Sequence, residues 1–312
     1  MRKLKNLICA SIGMAACFSS AFSALLIETS FVGDIGNAAH ENGKGAVNYG
    51  YNIGTYEVTN GQYVSFLNAK AASDPLGLYN PEMTSSTHGG IQRSGSSGSY
   101  TYSTKSGKEN MPVNFVSFWD AARFTNWLTN GEGSGDTETG MYNLTASGID
   151  QNTITRDATA WNAGGIAIAS EDEWFKAAYY KGGGLFAGYW GYANQKDTMN
   201  TSEANYENSV GFLTEVGAYA TAESAYGTFD QNGNVFEWNE EIILNGLRGL
   251  LGGAFNLTKS QLTDSSGNTP HTESVQYGFR ISQLTAIPEP STFMLFVGGF
   301  ALFAYGKLSK QK

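Results

Sequence analysis

The stretch FDQNGNVFEWNEE, residues 229–241, places two carboxylates, Asp230 and Glu237, on either side of a Gly233-Asn234 turn, with Glu237 between Phe236 and Trp238. Carboxylates so arranged can do one of three things. They can ligate a hard cation together with carbonyl oxygens of the loop, serve as buried acids that accept backbone N–H groups at the turn, or move protons. The neighbouring Glu240 and Glu241 read as a hydrated rim rather than a glycosidase pair, because nothing in the sequence fixes a carboxyl separation.

Other catalytic signatures are weaker. His40, His88 and His271 are far apart, each in a loop context and without a His or Cys partner at metal-ligand spacing, so they read as solvated loop histidines. Glu171, Asp172 and Glu173 stand where a helix begins, and the helix dipole explains acids there. There is no Gly-x-Ser-x-Gly elbow and no phosphate loop. The two cysteines, Cys9 and Cys17, both lie near the amino terminus.

Three helices must carry much of the frame. Thr59 can cap the first, with Tyr63, Phe66 and Leu67 on one stripe. Ser117 and Asp120 form a capping signature for the second, followed by Ala121, Phe124, Trp127 and Leu128 at helical spacing. The third starts at Ser170 with Glu173 three residues on, runs through Trp174, Ala177 and Ala178, and ends at Gly182-Gly183-Gly184. Short strands are expected at Asn52–Val58, Gly165–Ala169 and Gly278–Ser282. The rest reads as coil packed by Trp and Tyr, with 84–110 and 129–164 as surface loops or insertions. The tryptophans, tyrosines and asparagines of the loops could form a sugar-binding surface, although the same residues pack coil.

Both ends read as addressing segments. A basic start at Arg2, Lys3 and Lys5, an apolar run from Leu7 to Cys17 and small residues at 19–24 make 1–23 a secretory signal peptide. Lipoprotein processing at Met14-Ala15-Ala16-Cys17 fits less well. At the other end, Pro288-Glu289-Pro290 precedes the apolar segment 291–306 and then Lys307, Lys310 and Lys312. Sixteen helical residues reach about 24 Å, a marginal transmembrane helix with its lysines on the cytoplasmic side. Without these ends 13 basic residues face 27 acidic ones, a net charge of −14. That argues against nucleic acid as a partner and fits a soluble surface or an affinity for cations. The mature chain has no thiol unless lipoprotein processing keeps Cys17, so thiolate catalysis and Cys-metal sites are not expected.

Four segments in order, YNIGTYEVTNGQYVSFLNA (51–69), MPVNFVSFWDAARFTNWL (111–128), IASEDEWFKAAYY (168–180) and FDQNGNVFEW (229–238), are closed by LLGGAF (250–255) and GFRIS (278–282). Together they resemble the formylglycine-generating-enzyme (sulfatase-modifying factor) family over residues 47–283, after a lead-in at 24–46. The resemblance implies a single irregular α+β domain related to C-type lectins, with short helices and strands and much packed coil. It also implies Ca²⁺ bound by the Asp230 side chain, the Gly233 and Val235 carbonyls and Glu237. The alternative of Glu237 as a buried structural acid stands beside it. A second calcium site of the family matches only at Asn205 and the Tyr206 carbonyl. Family members oxidise a substrate cysteine to formylglycine with a cysteine pair that binds copper(I). Here the corresponding interval, 256–277, has no cysteine, and Arg-Gly-Gly-Ser-Trp is replaced by Leu251-Gly252-Gly253-Ala254-Phe255. Copper is therefore not expected, and the residues lean towards a pseudoenzyme.

The tail, 284–312, resembles the PEP-CTERM sorting signal that an exosortase reads in Gram-negative bacteria. The expectation is an exported protein of the cell envelope, outer surface or extracellular matrix, processed by signal peptidase and exosortase after a transient inner-membrane anchor. Its domain would be calcium-stabilised and non-catalytic, binding a glycan or another surface protein. The alternative is an oxidase of the same family that acts on protein substrates through a different metal centre.

Overall fold

The computed structural model describes residues 24–285, apart from residue 245. The segment 1–23 expected to be a signal peptide, and all but the first two residues of the expected sorting tail 284–312, lie outside the described residues. So does the expected transmembrane helix. Among the described residues no helix is long and apolar enough to cross a membrane.

Two four-stranded sheets form the frame. The first has the order β1 (Thr29–Val32), β2 (Tyr51–Gly54), β10 (Ile281–Leu284), β5 (Ile166–Ile168), antiparallel throughout. β1 lies inside the stretch that the sequence assigned to the lead-in. The second has the order β8 (Ser266–Asn268), β7 (Leu247–Leu251), β6 (Phe236–Ile243), β9 (Tyr277–Phe279), with β6 and β9 parallel. A separate hairpin, β3 (Ile91–Ser94) with β4 (Thr101–Thr104), packs on α1 (Asn60–Lys70).

All three expected helices form, and their caps explain where they start. Thr59 and Gln62 make a reciprocal capping box for α1. After the short α2 (Glu82–Ser85), Ser117 and Asp120 do the same for α3 (Phe118–Thr129). Beyond α4 (Ala146–Asp150) and α5 (Ala158–Asn162), Ser170 and Glu173 cap α6 (Glu171–Tyr179). Each box satisfies two amide groups that a helix start otherwise leaves open. The main core joins α1 and α3 through edge-to-face and tilted contacts among Phe66, Phe124 and Trp127.

Three expectations change. The strand expected at Gly278–Ser282 is two strands in different sheets: β9 pairs with β6, β10 pairs with β2 and β5, and Arg280 marks the break. The stretch 229–241 is a loop only to Val235, since β6 starts at Phe236. The segments 84–110 and 129–164 are not merely surface loops, because Ile91, Tyr102, Met141, Tyr142 and Trp161 are buried in the main core.

Candidate functional site

Strand alternation explains how a carboxylate comes to lie between two large aromatics. Successive side chains of β6 point to opposite faces, so Phe236 and Trp238 enter the main core while Glu237 faces α6 and the β9–β10 break. Trp238 fixes that choice by donating its indole N–H to the Val116 carbonyl at 3.0 Å. Glu237 is fully buried. Its Oε2 accepts from Trp174 Nε1 at 2.8 Å and from Arg280 Nε at 2.5 Å, and its Oε1 accepts from Arg280 Nη2 at 2.6 Å.

Arg280 uses its remaining donors on backbone. Nη1 reaches the Gly54 carbonyl at 3.0 Å, and Nη2 reaches the Phe229 carbonyl at 2.9 Å. A planar guanidinium with five N–H groups is suited to this, since one face of the fork holds a carboxylate while the rest gathers carbonyls. Burial pulls the Arg280 pKa down, but the Glu237 charge outweighs it and holds the guanidinium ionised. The pair joins β6, α6, the end of β2 and the start of the 229–235 loop.

The loop itself is wound in the left-handed region, with φ of 60° at Asp230, 88° at Gly233 and 57° at Asn234. Gly233 is required twice over, because a Cβ there would also meet the Asn205 carbonyl oxygen at 2.2 Å. Asn234 is the hub. Its N–H reaches the Asn205 carbonyl at 2.8 Å, its Oδ1 accepts from Thr214 N–H at 3.0 Å, and its Nδ2 reaches Glu57 Oε1 at 3.1 Å. Asp230 Oδ2 accepts the Gly217 N–H at 2.6 Å.

Asp230, Gly233, Val235 and Asn205 are thus brought around one turn. Tyr206 points its ring into a small cluster with Met199, Ala204 and Leu262, and its carbonyl accepts the Ser209 N–H at 3.0 Å. Among the described residues no three His, Cys, Asp or Glu side chains gather as a metal-binding group. Glu237 gives both oxygens to Arg280 and Trp174. Two other side-chain oxygens beside Asn234, Glu57 Oε2 and Asn205 Oδ1, are buried and without hydrogen-bond partners among the described residues. Burial, reinforced by Asp230 and Glu237, pushes the Glu57 carboxyl well above its ordinary range, and burial followed by Glu237 pushes Asp230 up to about 6. Three acids face one arginine. Glu57, Asn234 and Arg280 were not singled out as site residues in the sequence, although all three stand inside the quoted motifs.

A second arginine cluster lies beside a small surface cleft. Arg156 donates to both oxygens of Glu173, at 2.8 and 3.0 Å, and to Glu240, while its guanidinium lies 3.8 Å from the centre of the Trp161 ring. Glu173 also accepts the Ser170 N–H at 2.8 Å and the Tyr49 hydroxyl at 2.8 Å. Burial pushes Glu173 up, but the Arg156 charge and these bonds outweigh it and hold the carboxyl below its ordinary value. Glu173 therefore does more than cap a helix, and Glu240, half-buried where it borders the cleft, also accepts from Tyr142 and Arg156, while Glu241 is exposed at the rim.

The histidines remain separate. His40 and His271 sit beside aromatic rings near the surface. His88 departs from the solvated reading: its ring lies 5.0 Å from that of Phe255, its Nδ1 is buried without a partner, and burial followed by Lys108 lowers its pKa. In the cysteine-free interval 256–277, Leu262 is fully buried and anchors the segment.

The profile of the sulfatase-modifying factor enzyme 1-like domain matches residues 34–283. Among solved structures, "Crystal Structure of CarF" aligns with a TM-score of 0.56 at 23 % identity, covering 84 % of this chain and all of that one. Variable protein 1 of Treponema denticola aligns with a TM-score of 0.55 at 20 % identity, covering 82 % of this chain and 95 % of that one. These likenesses extend to the fold. No curated protein sequence is significantly similar to this chain.

Proposed function

Because the chain belongs to the sulfatase-modifying factor enzyme 1-like family, we propose that it uses the family's scaffold for ligand binding and display in an exported protein, and not for oxygen chemistry. One observation carries this reading: its two cysteines, Cys9 and Cys17, both fall in the segment that reads as a signal peptide. Copper(I) demands soft thiolate ligands, and neither hydroxyls nor a buried leucine replaces them. With the leader gone, the interval 256–277 offers no sulfur nucleophile.

The apolar, lysine-terminated tail supports sorting by an exosortase in a Gram-negative bacterium, with delivery to the outer surface or matrix. A glycan or another surface protein is the proposed ligand class, taken up by the loops at 84–110 and 256–277. Calcium is proposed as a structural ion at the 229–235 turn, held by Asp230, Asn205 and Glu57 with the Gly233 and Val235 carbonyls. There it would neutralise an excess of carboxylate that Arg280 alone leaves.

The test is turnover. Purified processed protein, given Cu(I) or Fe(II), oxygen and a cysteine-bearing peptide, is expected to consume no oxygen beyond the peptide control and to form no aldehyde. Aldehyde formation would overturn the reading. Binding on a glycan array or to matrix proteins is the positive half, and a processed protein that retains neither contradicts the display role.

A further inference from the structure

We propose that Glu132 receives the amino terminus created when the leader is cut between Ser23 and Ala24. The inference rests on the export reading above and adds to it the group that holds the product, and with it a structural reason for the cut that the 1–23 boundary places after Ser23.

Glu132 is held in place before any partner arrives. It follows the end of α3 in the left-handed region, with φ of 65°. Its N–H bonds the Trp127 carbonyl at 2.9 Å, its carbonyl accepts the Gly135 N–H at 2.8 Å, and Trp127 Nε1 clamps the next residue through the Gly133 carbonyl at 3.1 Å. A turn fixed at this many points aims its side chain. That side chain borders a cleft of about 680 Å³ lined by Leu25, Ser65, Asn68 and Trp127.

Both oxygens of Glu132 converge on one backbone donor, the Leu25 N–H, at 2.9 and 3.0 Å. A carboxylate offers about four acceptor sites, so a single amide leaves most of this one unused. Among the described residues Glu132 has no cationic partner within ion-pair distance. The lead-in is pinned here a second time, by Gln62 Nε2 on the Leu26 carbonyl at 3.0 Å.

Signal peptidase needs small residues one and three positions before the cut. With both positions inside the small-residue stretch 19–24, the sequence offers two such bonds: after Ala21, with Ser19 at the third position, and after Ser23, with Ala21 there. A cut after Ala24 would put Phe22 at the third position. The structure chooses between the first two. Hydrolysis of the Ser23–Ala24 bond adds water across it, leaving a carboxylate on Ser23 of the leader and an ammonium on Ala24. That ammonium is on the residue next to Leu25, consecutive backbone nitrogens lie roughly 3.5 Å apart, and once the chain ahead of it is gone, rotation about the Ala24 Cα–C bond alone is enough to turn it towards the same carboxylate. A cut after Ala21 leaves the ammonium three residues upstream of Leu25, up to about 10 Å away in an extended chain. The later cut supplies the missing cation without the entropic cost of ordering two further residues.

Two measurements test this. The full chain is secreted from a Gram-negative host and its new amino terminus is read by mass spectrometry, with Ala24 expected. In parallel, chains that begin at Ala24 and are otherwise complete are compared with the same chains acetylated at the amino terminus, each with and without Glu132→Gln. Acetylation is expected to lower Tm by about 1–3 °C at pH 6.5, as for a partly exposed ion pair in a domain of this size. It should have no effect on the Glu132→Gln protein. The difference must also fade above pH ~9, because a free α-amine titrates near 7.7–8.0 and a raised value lies above that. Absence of any cut overturns the export reading, while the acetylation series still decides the role of Glu132. A cut after Ala21, or an acetylation effect that survives in the Glu132→Gln protein, overturns the inference.

Discussion

Two arginines organise two acidic clusters in this molecule, and they do it differently. Around Arg156 the carboxylates are saturated: Glu173 accepts from Arg156, Ser170 and Tyr49, and Glu240 accepts from Arg156 and Tyr142. Around Arg280 only Glu237 is saturated, while Glu57 Oε2 and Asn205 Oδ1 have no partner and Asp230 is held at a raised pKa. A buried charge cluster that satisfies itself is architecture, and one that does not has capacity for a further positive charge.

The largest effect that sharpens this contrast is at the Arg280–Glu237 pair, where both side chains are fully buried. Arg280→Met or Glu237→Gln should cost about 3–5 kcal/mol by leaving the other partner buried and uncompensated, read as a large fall in Tm or as insoluble protein. Calcium comes next. Chelator-treated protein should gain about 2.7 kcal/mol when calcium is present at a hundred times its Kd. Calorimetry should give one ion per chain, and Glu57→Gln should weaken binding while sparing the fold. No heat of binding and no EDTA-dependent change in Tm would break the comparison, because the Arg280 cluster would then be as closed as the other.

Arg156→Met should cost less, about 1–3 kcal/mol, because Ser170 and Tyr49 still bond Glu173 and the arginine keeps some solvent contact. Equal losses at the two arginines would erase the distinction drawn here. The smallest effect is in pH, and the two carboxylates Glu173 and Asp230 should respond with opposite sign, although burial also raises Glu240 beside Arg156. Glu173 has a lowered folded pKa, so its contribution is present above the unfolded value near 4.3 and is lost as pH falls. Asp230 is raised to about 6, so its contribution is present below the unfolded value near 3.9 and is lost as pH rises through 6. In chelator-treated protein, Asp230→Asn should therefore flatten the fall in Tm between pH 4 and 7, whereas Glu173→Gln should flatten the fall below pH 4.

The parts legible from sequence were those whose cause is local. Helices α1, α3 and α6 announce themselves because a capping box spans four residues and an apolar stripe repeats every three or four. The family resemblance was legible for the same reason, as an ordered series of short motifs. What spacing cannot convey is partnership across distance. Arg280 lies 43 residues from Glu237, and Glu57 lies 177 residues from the Asn234 that binds it. Strand β6 is hidden because Glu237 and Asn239, which alternate with its aromatics, are buried too, so FEWN looks like a polar loop until both faces are seen to be covered.

The position of β10 has a kinetic consequence. This strand, residues 281–284, is inserted between β2 and β5, so the sheet has a gap until almost the last described residue is available. Native pairings so distant along the chain form slowly, and a nascent polypeptide emerging from the ribosome cannot close its own sheet. Under the export proposed above, a chain threaded through a narrow translocon in an extended state would gain time from such an arrangement. Protease sensitivity of chains arrested just before and well after Leu284 reads that delay directly, with resistance expected only in the longer ones.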